Sequence, residues 1–158
     1  MDKPRRTFVL VADASRARLY LGTEETPKLS VIEEFDHPES RAKNMDLASD
    51  RPGRTLASGA MKSARSATDP RTEPKEVEAE KFARELGHRL ASHCDAHAFD
   101  DLVIAAPPRF LGLLRGALAT HHDGVSKRVV AWHEKNYTAL TDVIEISKRL
   151  SLNLERAA

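Results

Sequence analysis

The sequence TFVLVADASRARLYLG occupies residues 7–22 and indicates two adjacent strands of a sheet. Its first half, Thr7–Asp13, is a continuous apolar run, which is typical of a central strand that is covered on both faces. Its second half, Arg16–Gly22, alternates between apolar and polar side chains, which is typical of a strand beside it. Only Ala14 and Ser15 separate the two runs, so the pattern predicts a tight hairpin.

The remaining pattern adds three strands and three helices. The elements predicted after the hairpin are a strand at Leu29–Phe35, a helix of about twenty residues from Thr72, a strand at Asp101–Ala106, a helix from Pro107, a strand at Val125–Trp132 and a helix at Thr141–Leu152. We expect Val77 and Ile144 to be among the inward-facing residues of the first and last helices. The order βββαβαβα predicts an α/β domain with a mixed sheet and three packed helices. Since crossovers between parallel strands are right-handed, the last two strands should lie parallel to the first.

Length and composition are typical of one domain that does not enter a membrane. The chain has 158 residues, of which 41% are apolar and 31% charged, and its formal net charge is +1. No apolar run approaches the ~20 residues that a membrane-spanning helix needs. No apolar segment of a secretory signal follows the basic N-terminus, and the single cysteine, Cys94, cannot form an intramolecular disulfide. We therefore expect a single domain over residues 1–158, located in the cytoplasm.

Residues 37–73 have no apolar period and interrupt the pattern. Their composition predicts a long mobile loop within the domain, and a structureless loop beyond ~12–15 residues is usually either functional or disordered. Between Pro38 and Thr72 the chain carries seven basic and four acidic residues. Two interpretations remain open, a segment that binds RNA phosphates and a solvated disordered segment. The candidate RNA-binding residues are Arg51, Arg54, Lys62, Arg65 and Arg71.

Four segments together resemble the host attachment protein family, bacterial relatives of the central domain of archaeal and eukaryotic peptide-chain release factors. They are VLVADASRARLYLG at 9–22, DRPGR at 50–54, DPRTEPKEVEAEKFARELGHRL at 69–90 and LVIAAPPRFLGLLRGAL at 102–118. The resemblance implies an RNase H-like mixed sheet with strand order 3-2-1-4-5. It also implies two kinds of partner. The fold relationship points to the ribosome or transfer RNA, whereas the family name points to a protein interaction in attachment to host cells.

Catalysis is not indicated by any motif of the chain. The related release-factor domain carries Gly-Gly-Gln in the loop before its long helix, whereas residues 58–65 read SGAMKSAR and the chain contains no glutamine. Only Gly59 matches, so hydrolysis of peptidyl-tRNA is not expected. A GxSxG nucleophile elbow and the glycine-rich phosphate loops are also missing from the sequence. We therefore expect a binding module with no catalytic residues and no cofactor.

Two further sets of residues have alternative interpretations. His93 and His97 have the i, i+4 spacing of zinc ligands, but they lie at a predicted helix C-terminus, where imidazoles interact favourably with the helix dipole, so no metal is expected. Arg109 begins the helix after the fourth strand, where anions often bind. Either Arg109 binds an anion there or its side chain is solvated. Asp13 is expected to cap the hairpin, and the oligomeric state is not indicated.

Overall fold

The computed structural model describes residues 3–23, 28–40 and 74–150, which form one α/β domain. The five strands are β1 (Arg6–Ala12), β2 (Arg16–Thr23), β3 (Ser30–Asp36), β4 (Asp101–Ala105) and β5 (Val129–His133). The helices with both ends described are α1 (Pro74–Asp95), α2 (Pro108–His121), α3 (Asp123–Ser126) and α4 (Val143–Arg149). Residues 38–40 are also helical.

The strands form one mixed sheet in the order β3-β2-β1-β4-β5. β2 pairs antiparallel with both β1 and β3, and β4 pairs parallel with both β1 and β5. The turn between β1 and β2 is closed by the backbone N–H of Asp13, which donates to the carbonyl of Arg16 over 2.9 Å. The predicted hairpin, the parallel arrangement of the last two strands with the first, and the strand order are therefore confirmed.

Both faces of the central strands are covered, which explains why β1 is apolar throughout. On one face Phe8 and Leu10 of β1 pack against side chains of α1 and α2, such as Phe82 and Leu114. The opposite face is covered by α4, and the buried residues there include Val9, Val11, Val103, Ile146 and Leu150. Full burial of one such side chain contributes about 1.5–3 kcal/mol, so the two cores together hold the helices on the sheet.

The structure corrects the predicted bounds of the last strand and the number of helices. Residues 123–126 form the short helix α3, so β5 begins at Val129 instead of Val125. The α3 turn is closed by the backbone N–H of Lys127, which donates to the carbonyl of Asp123 over 2.9 Å. Val125 is buried against the core formed by α1 and α2, and this burial favours the helical turn over an extended strand.

Two residues predicted to face inward are exposed. Val77 is 39% exposed, because the register set by Phe82 and Leu86 turns Glu78 inward in its place. Ile144 is 52% exposed, because Ile146 and Leu150 form the inward face of α4 and its C-terminal turn. Both predictions were wrong for the same reason. An apolar residue one position outside the buried stripe of a helix can still lie three or four residues from a buried residue.

The predicted loop at 37–73 is described only at its first four residues. Residues 38–40 are helical, so the loop prediction is wrong for them. Residues 41–73, with all five candidate RNA-binding residues, lie outside the described residues. Within the described ranges, no helix has both the length and the apolar character that crossing a membrane requires.

Helix α1 ends in a turn that sequence analysis did not predict. The backbone N–H of Ala98 donates to the carbonyl of His93 over 2.9 Å, and that of His97 donates to the carbonyl of Cys94 over 3.0 Å. This pair of bonds is the Schellman motif, and it requires a left-handed backbone at the residue after the cap. His97 occupies that position with φ 54°, a conformation that glycine adopts far more readily.

Candidate functional site

The end of the sheet at which β1 and β4 finish brings together both flanks of segment 41–73. On one flank, the hydroxyl of Ser40 donates to the carbonyl of Ala14 in the β1–β2 turn over 2.9 Å. On the other flank, Nη2 of Arg109 at the start of α2 donates to Oε1 of Glu76 in the first turn of α1 over 3.0 Å. We call this region the carboxyl end of the sheet. It holds the last described residues before the segment and the first residues after it.

A cavity of about 240 Å³ lies between these two flanks. Its lining is mainly apolar, with the polar side chains of Ser40, Glu76 and Arg109 among its walls. The remaining lining residues are Ala14, Ala79, Phe110 and Leu113. The segment therefore leaves and rejoins the described fold beside an open apolar depression.

A buried carboxylate fastens the chain between β3 and Ser40 to α1. Oε1 of Glu78 lies 3.2 Å from Nε2 of His37, and the His37 ring stacks on Phe82. Glu78 is only 6% exposed. Burial by itself raises the pKa of Glu78, but hydrogen bonds with His37 and Lys81 outweigh that effect and lower the pKa below its usual value. The ionised carboxylate is thus stabilised as the partner of His37.

Asp13 connects the β1–β2 turn to the chain that follows β5. Its Oδ1 accepts hydrogen bonds from the backbone N–H groups of Ser15 and Arg16 over 2.8 and 2.9 Å, as expected of a hairpin cap. Its Oδ2 accepts a hydrogen bond from the Thr138 hydroxyl over 3.0 Å, and the same hydroxyl lies 2.6 Å from Oδ1 of Asn136. Burial by itself raises the pKa of Asp13, but these hydrogen bonds lower it below its usual value.

Arg18 of β2 holds the same connection from the neighbouring strand. Its guanidinium donates to the carbonyl of Thr138 over 2.6 Å and to the carbonyl of Leu140 over 2.9 Å. Thr138 is itself buried, so its carbonyl has little access to water and depends on the arginine for a partner. Asp13 and Arg18 together fix the 136–140 connection against the sheet.

Arg109 is exposed but not without a partner. Its side chain is 80% exposed, and its guanidinium donates to Glu76 as described above. Anion binding at Arg109 remains a prediction, and a bound anion would have to share the guanidinium with Glu76. The candidates Arg51, Arg54, Lys62, Arg65 and Arg71 lie outside the described residues.

The two histidines considered as a zinc pair have separate roles in the structure. Nε2 of His93 lies 3.0 Å from Oε1 of Glu33 on β3, whereas His97 lies beyond the end of α1. In the part of the chain that the structure describes, no group of three or more histidine, cysteine or acidic side chains could hold a metal ion. The carboxylates of Asp13, Glu76 and Glu78 all accept hydrogen bonds from neighbouring side chains. The carboxyl end therefore has the character of an anchoring surface.

Sequence analysis missed most of this network. Glu78 could have been found, because it lies four residues before Phe82 on the inward face of α1. Thr138 and Arg18 could not, because their contact joins chain positions 120 residues apart. The periodicity of apolar residues does not predict a contact between residues so far apart in the chain.

Comparison with known proteins identifies a family and a fold. The family model described as "protein required for attachment to host cells" matches residues 8–150. No curated protein sequence matches the chain. Among solved structures, an archaeal translation termination factor, aRF1, is similar with a TM-score of 0.50 and 12% identity over 95% of this chain. Dom34 of S. cerevisiae, a translation termination-like factor involved in RNA quality control, has a TM-score of 0.45 and 12% identity over 96% of this chain.

This chain corresponds to 35% of each of these two longer proteins. At such identities the likeness to aRF1 concerns the fold alone.

Proposed function

Because the chain belongs to the family of proteins required for attachment to host cells, we propose that it is a non-enzymatic cytoplasmic binding module. Its ligand in this proposal is ribosomal or transfer RNA, contacted through the basic residues of segment 37–73. The sheet and the helices act as the scaffold that presents the segment. The binding is electrostatic, with arginine and lysine side chains neutralising phosphates.

The observation that carries this proposal is that both flanks of segment 41–73 are anchored at the carboxyl end of the sheet. Ser40 is bonded to Ala14, and Glu76 is bonded to Arg109, on either side of one cavity. Both ends of the segment therefore meet the described fold at one end of the sheet. Seven basic and four acidic residues between Pro38 and Thr72 make this a local excess of positive charge in a chain of net charge +1.

We propose RNA rather than another polyanion as the ligand because a translation termination factor has a similar fold. The archaeal relative in fold is named as a translation termination factor. This chain spans only about a third of that protein, so the activity of the whole factor does not carry over. A role in which the domain contacts ribosomal or transfer RNA requires only the fold and the basic segment.

A second candidate function is a protein interaction in attachment to host cells. The description of the family favours it directly. In this alternative the basic segment contacts an acidic protein surface, and the scaffold is used in the same way. The two candidates differ in the class of partner, which can be tested.

Sedimentation with ribosomal fractions tests the proposal. The tagged full chain is centrifuged with ribosomes at low and at high salt, and compared with a variant in which Arg51, Arg54, Lys62 and Arg65 are serine. A matched control replaces four exposed basic residues elsewhere, namely Lys28, Arg84, Lys148 and Arg149. Its net charge changes by the same amount.

We expect the wild type and the control to sediment with ribosomes at low salt and to be released at high salt. The segment variant should sediment much less than the wild type at low salt. If the wild type stays in the supernatant at low salt, the RNA proposal is wrong and the protein-interaction candidate takes its place. If the control fails to sediment as well, net charge rather than the segment determines binding.

A further inference from the structure

The chain segments that contain the two outer strands differ in charge. Residues 107–137, which include α2 and the edge strand β5, contain five basic and two acidic residues. Residues 28–40, which include the opposite edge strand β3, contain one basic and four acidic residues. The near-zero net charge of the chain therefore conceals a basic segment, whose cations flank the uncharged strand β5, and an acidic segment that includes β3. Sequence analysis recognised the basic segment 37–73 and Arg109, but not the cations beside β5.

The two arginines near β5 contact groups other than carboxylates. Cζ of Arg115 lies 4.5 Å from the centre of the Trp132 ring, and Nε of Arg128 donates to Sγ of Cys94 over 3.0 Å. In the described residues neither arginine is within ion-pair distance of an acidic side chain. Lys127 does pair with Asp123, but both side chains are at least 70% exposed, and such pairs contribute little.

The surface beside Arg115 is open. A Cβ atom placed on Gly112 or Gly116 of α2 would meet no other atom within 4 Å. The backbone of α2 is therefore open at these two glycines, on the side of Arg115 where Glu80 and Arg84 of α1 lie. Trp132 is partly buried, with its ring packed against the core on one side and covered by the guanidinium on the other.

The edge of β5 is unsuited to pairing with another strand. Leu102 pairs with Val129 and Val103 pairs with Ala131, so Val130 is an extra residue in β5 and is 61% exposed. A bulge of this kind twists the edge and interrupts the row of backbone groups that a further strand would need. A ligand here must be held by side chains.

We propose that this strip, formed by Arg115, Lys127, Arg128, Trp132 and Lys135, is a binding surface for single-stranded RNA. Phosphates contact the side chains at the start and beyond the end of β5, and a base stacks on the guanidinium that covers Trp132. Arginine planes and aromatic rings are the platforms on which proteins stack unpaired bases, and exposed cations beside them bind phosphates. The proposal rests on the proposed function, since it takes RNA as the ligand, and it adds a second surface remote in sequence from segment 37–73.

Trp132 allows a direct test, because it is the only tryptophan in the chain. The full-length protein is titrated into a fluorescein-labelled uridine 12-mer, and binding is followed by anisotropy. A second titration follows Trp132 fluorescence with unlabelled RNA. We expect Trp132 fluorescence to change with the same midpoint as the anisotropy.

Variants of Arg115 separate stacking from charge. Arg115→Lys keeps the charge but removes the planar group, so it should weaken binding several-fold and leave the salt dependence unchanged. Arg115→Ala removes the stacking platform together with the charge, so it should weaken binding further. Arg149→Ala is the matched control, because it removes an exposed arginine from α4 on the opposite face of the sheet. It should bind as the wild type does.

The outcomes distinguish this proposal from the one on which it rests. If the RNA binds, Trp132 fluorescence stays constant and the Arg115 variants bind normally, the strip is not a binding surface and the proposed function stands. If no RNA binds to the wild type, both proposals are wrong. If poly-glutamate changes Trp132 fluorescence with the same midpoint as RNA, the strip binds polyanions in general and the assignment to single-stranded RNA is overturned.

Discussion

The hydroxyl of Thr138 donates a 3.0 Å hydrogen bond to Oδ2 of Asp13, although 125 residues separate the two in the chain. The bond joins the end of β1 to the connection that follows β5. Together with the backbone donors in the β1–β2 turn, it gives the Asp13 carboxylate partners on both oxygens. This relationship defines the geometry of the carboxyl end of the sheet, where segment 41–73 leaves the described fold.

Replacing Asp13 should destabilise the whole domain. Asp13→Ala removes a charged acceptor that serves two backbone N–H groups and Thr138, and hydrogen bonds to charged groups contribute about 1.5–3 kcal/mol each. We expect a loss of about 3 kcal/mol in the free energy of unfolding, measured by urea denaturation. Thr138→Val removes only one of the bonds to Asp13, together with the 2.6 Å contact of the same hydroxyl with Oδ1 of Asn136, and should cost about 1 kcal/mol. Equal losses in the two variants would contradict the assigned network.

Replacing His97 by glycine should stabilise the protein. A left-handed backbone costs a non-glycine residue about 1–2 kcal/mol. Glycine does not incur this cost, but it loses more conformational entropy on folding, and this loss offsets part of the gain. We expect a net gain of up to about 1 kcal/mol and a rise in Tm of about 2–4 °C by calorimetry. His121→Gly is the control, because that residue is helical and the same substitution there should lower Tm. A fall in Tm for His97→Gly would show that the His97 side chain stabilises the protein by more than its left-handed backbone costs.

The protein should lose stability as the pH falls below neutrality, partly through His122. Burial lowers the pKa of His122, and His88 and His121 lower it further. In the unfolded chain the same group takes up a proton near pH 6.5, so between that pH and the lower folded pKa the unfolded state binds more protons. The contribution of neutral His122 to the free energy of unfolding is complete above about pH 6.5, and it is lost as the pH falls through the pKa of His122 in the folded state.

This effect of pH is measured as the difference between urea midpoints at pH 7.5 and pH 5.5. His122→Phe keeps a ring next to Gly87 and His88 and should make the difference smaller. His133→Phe serves as the control, since it removes a histidine from β5 instead of from this cluster. An unchanged difference in His122→Phe would assign the pH dependence to other groups.

The affinity of the basic segment for RNA should depend steeply on salt. Each phosphate contact with a single strand contributes ~0.7 to the slope of log affinity against log salt, so four contacts contribute about 2.8. Replacing Arg51, Arg54, Lys62 and Arg65 with serine should flatten the slope by this amount. Because phosphates carry no sequence information, binding to different RNA sequences should weaken equally. A slope that does not change would move the phosphate contacts away from the segment.

The purified protein should not release peptide from peptidyl-tRNA on ribosomes. The glutamine that serves this reaction in related release-factor domains has no counterpart, since the chain contains no glutamine. Release is measured with radiolabelled peptidyl-tRNA against a reaction without the factor. Release above that background that disappears when residues 58–65 are changed would show that the module is an enzyme after all.

The candidate site was only partly predictable from the sequence. Asp13 was expected to cap the hairpin because its partners lie two and three residues away, and short-range contacts of this kind are visible in a sequence. The pairing of Arg109 with Glu76 was not expected, because it depends on the starts of two helices meeting. For the same reason the cations beside β5 were missed, since Arg115 and Trp132 come together only when α2 packs beside that strand.

The amino-acid sequence by itself determined the five strands, the β1–β2 hairpin and the helices α1, α2 and α4. These features depend on the period of apolar residues and on turn residues, which report burial and local geometry along a continuous stretch of chain. The strand order was implied by the family resemblance together with the right-handed crossover. Only the tertiary structure decided which polar and charged groups meet, as Thr138 meets Asp13 and Arg115 meets Trp132. Such contacts act over a few ångströms between residues far apart in the chain, so they exist only after the sheet and the helices have assembled.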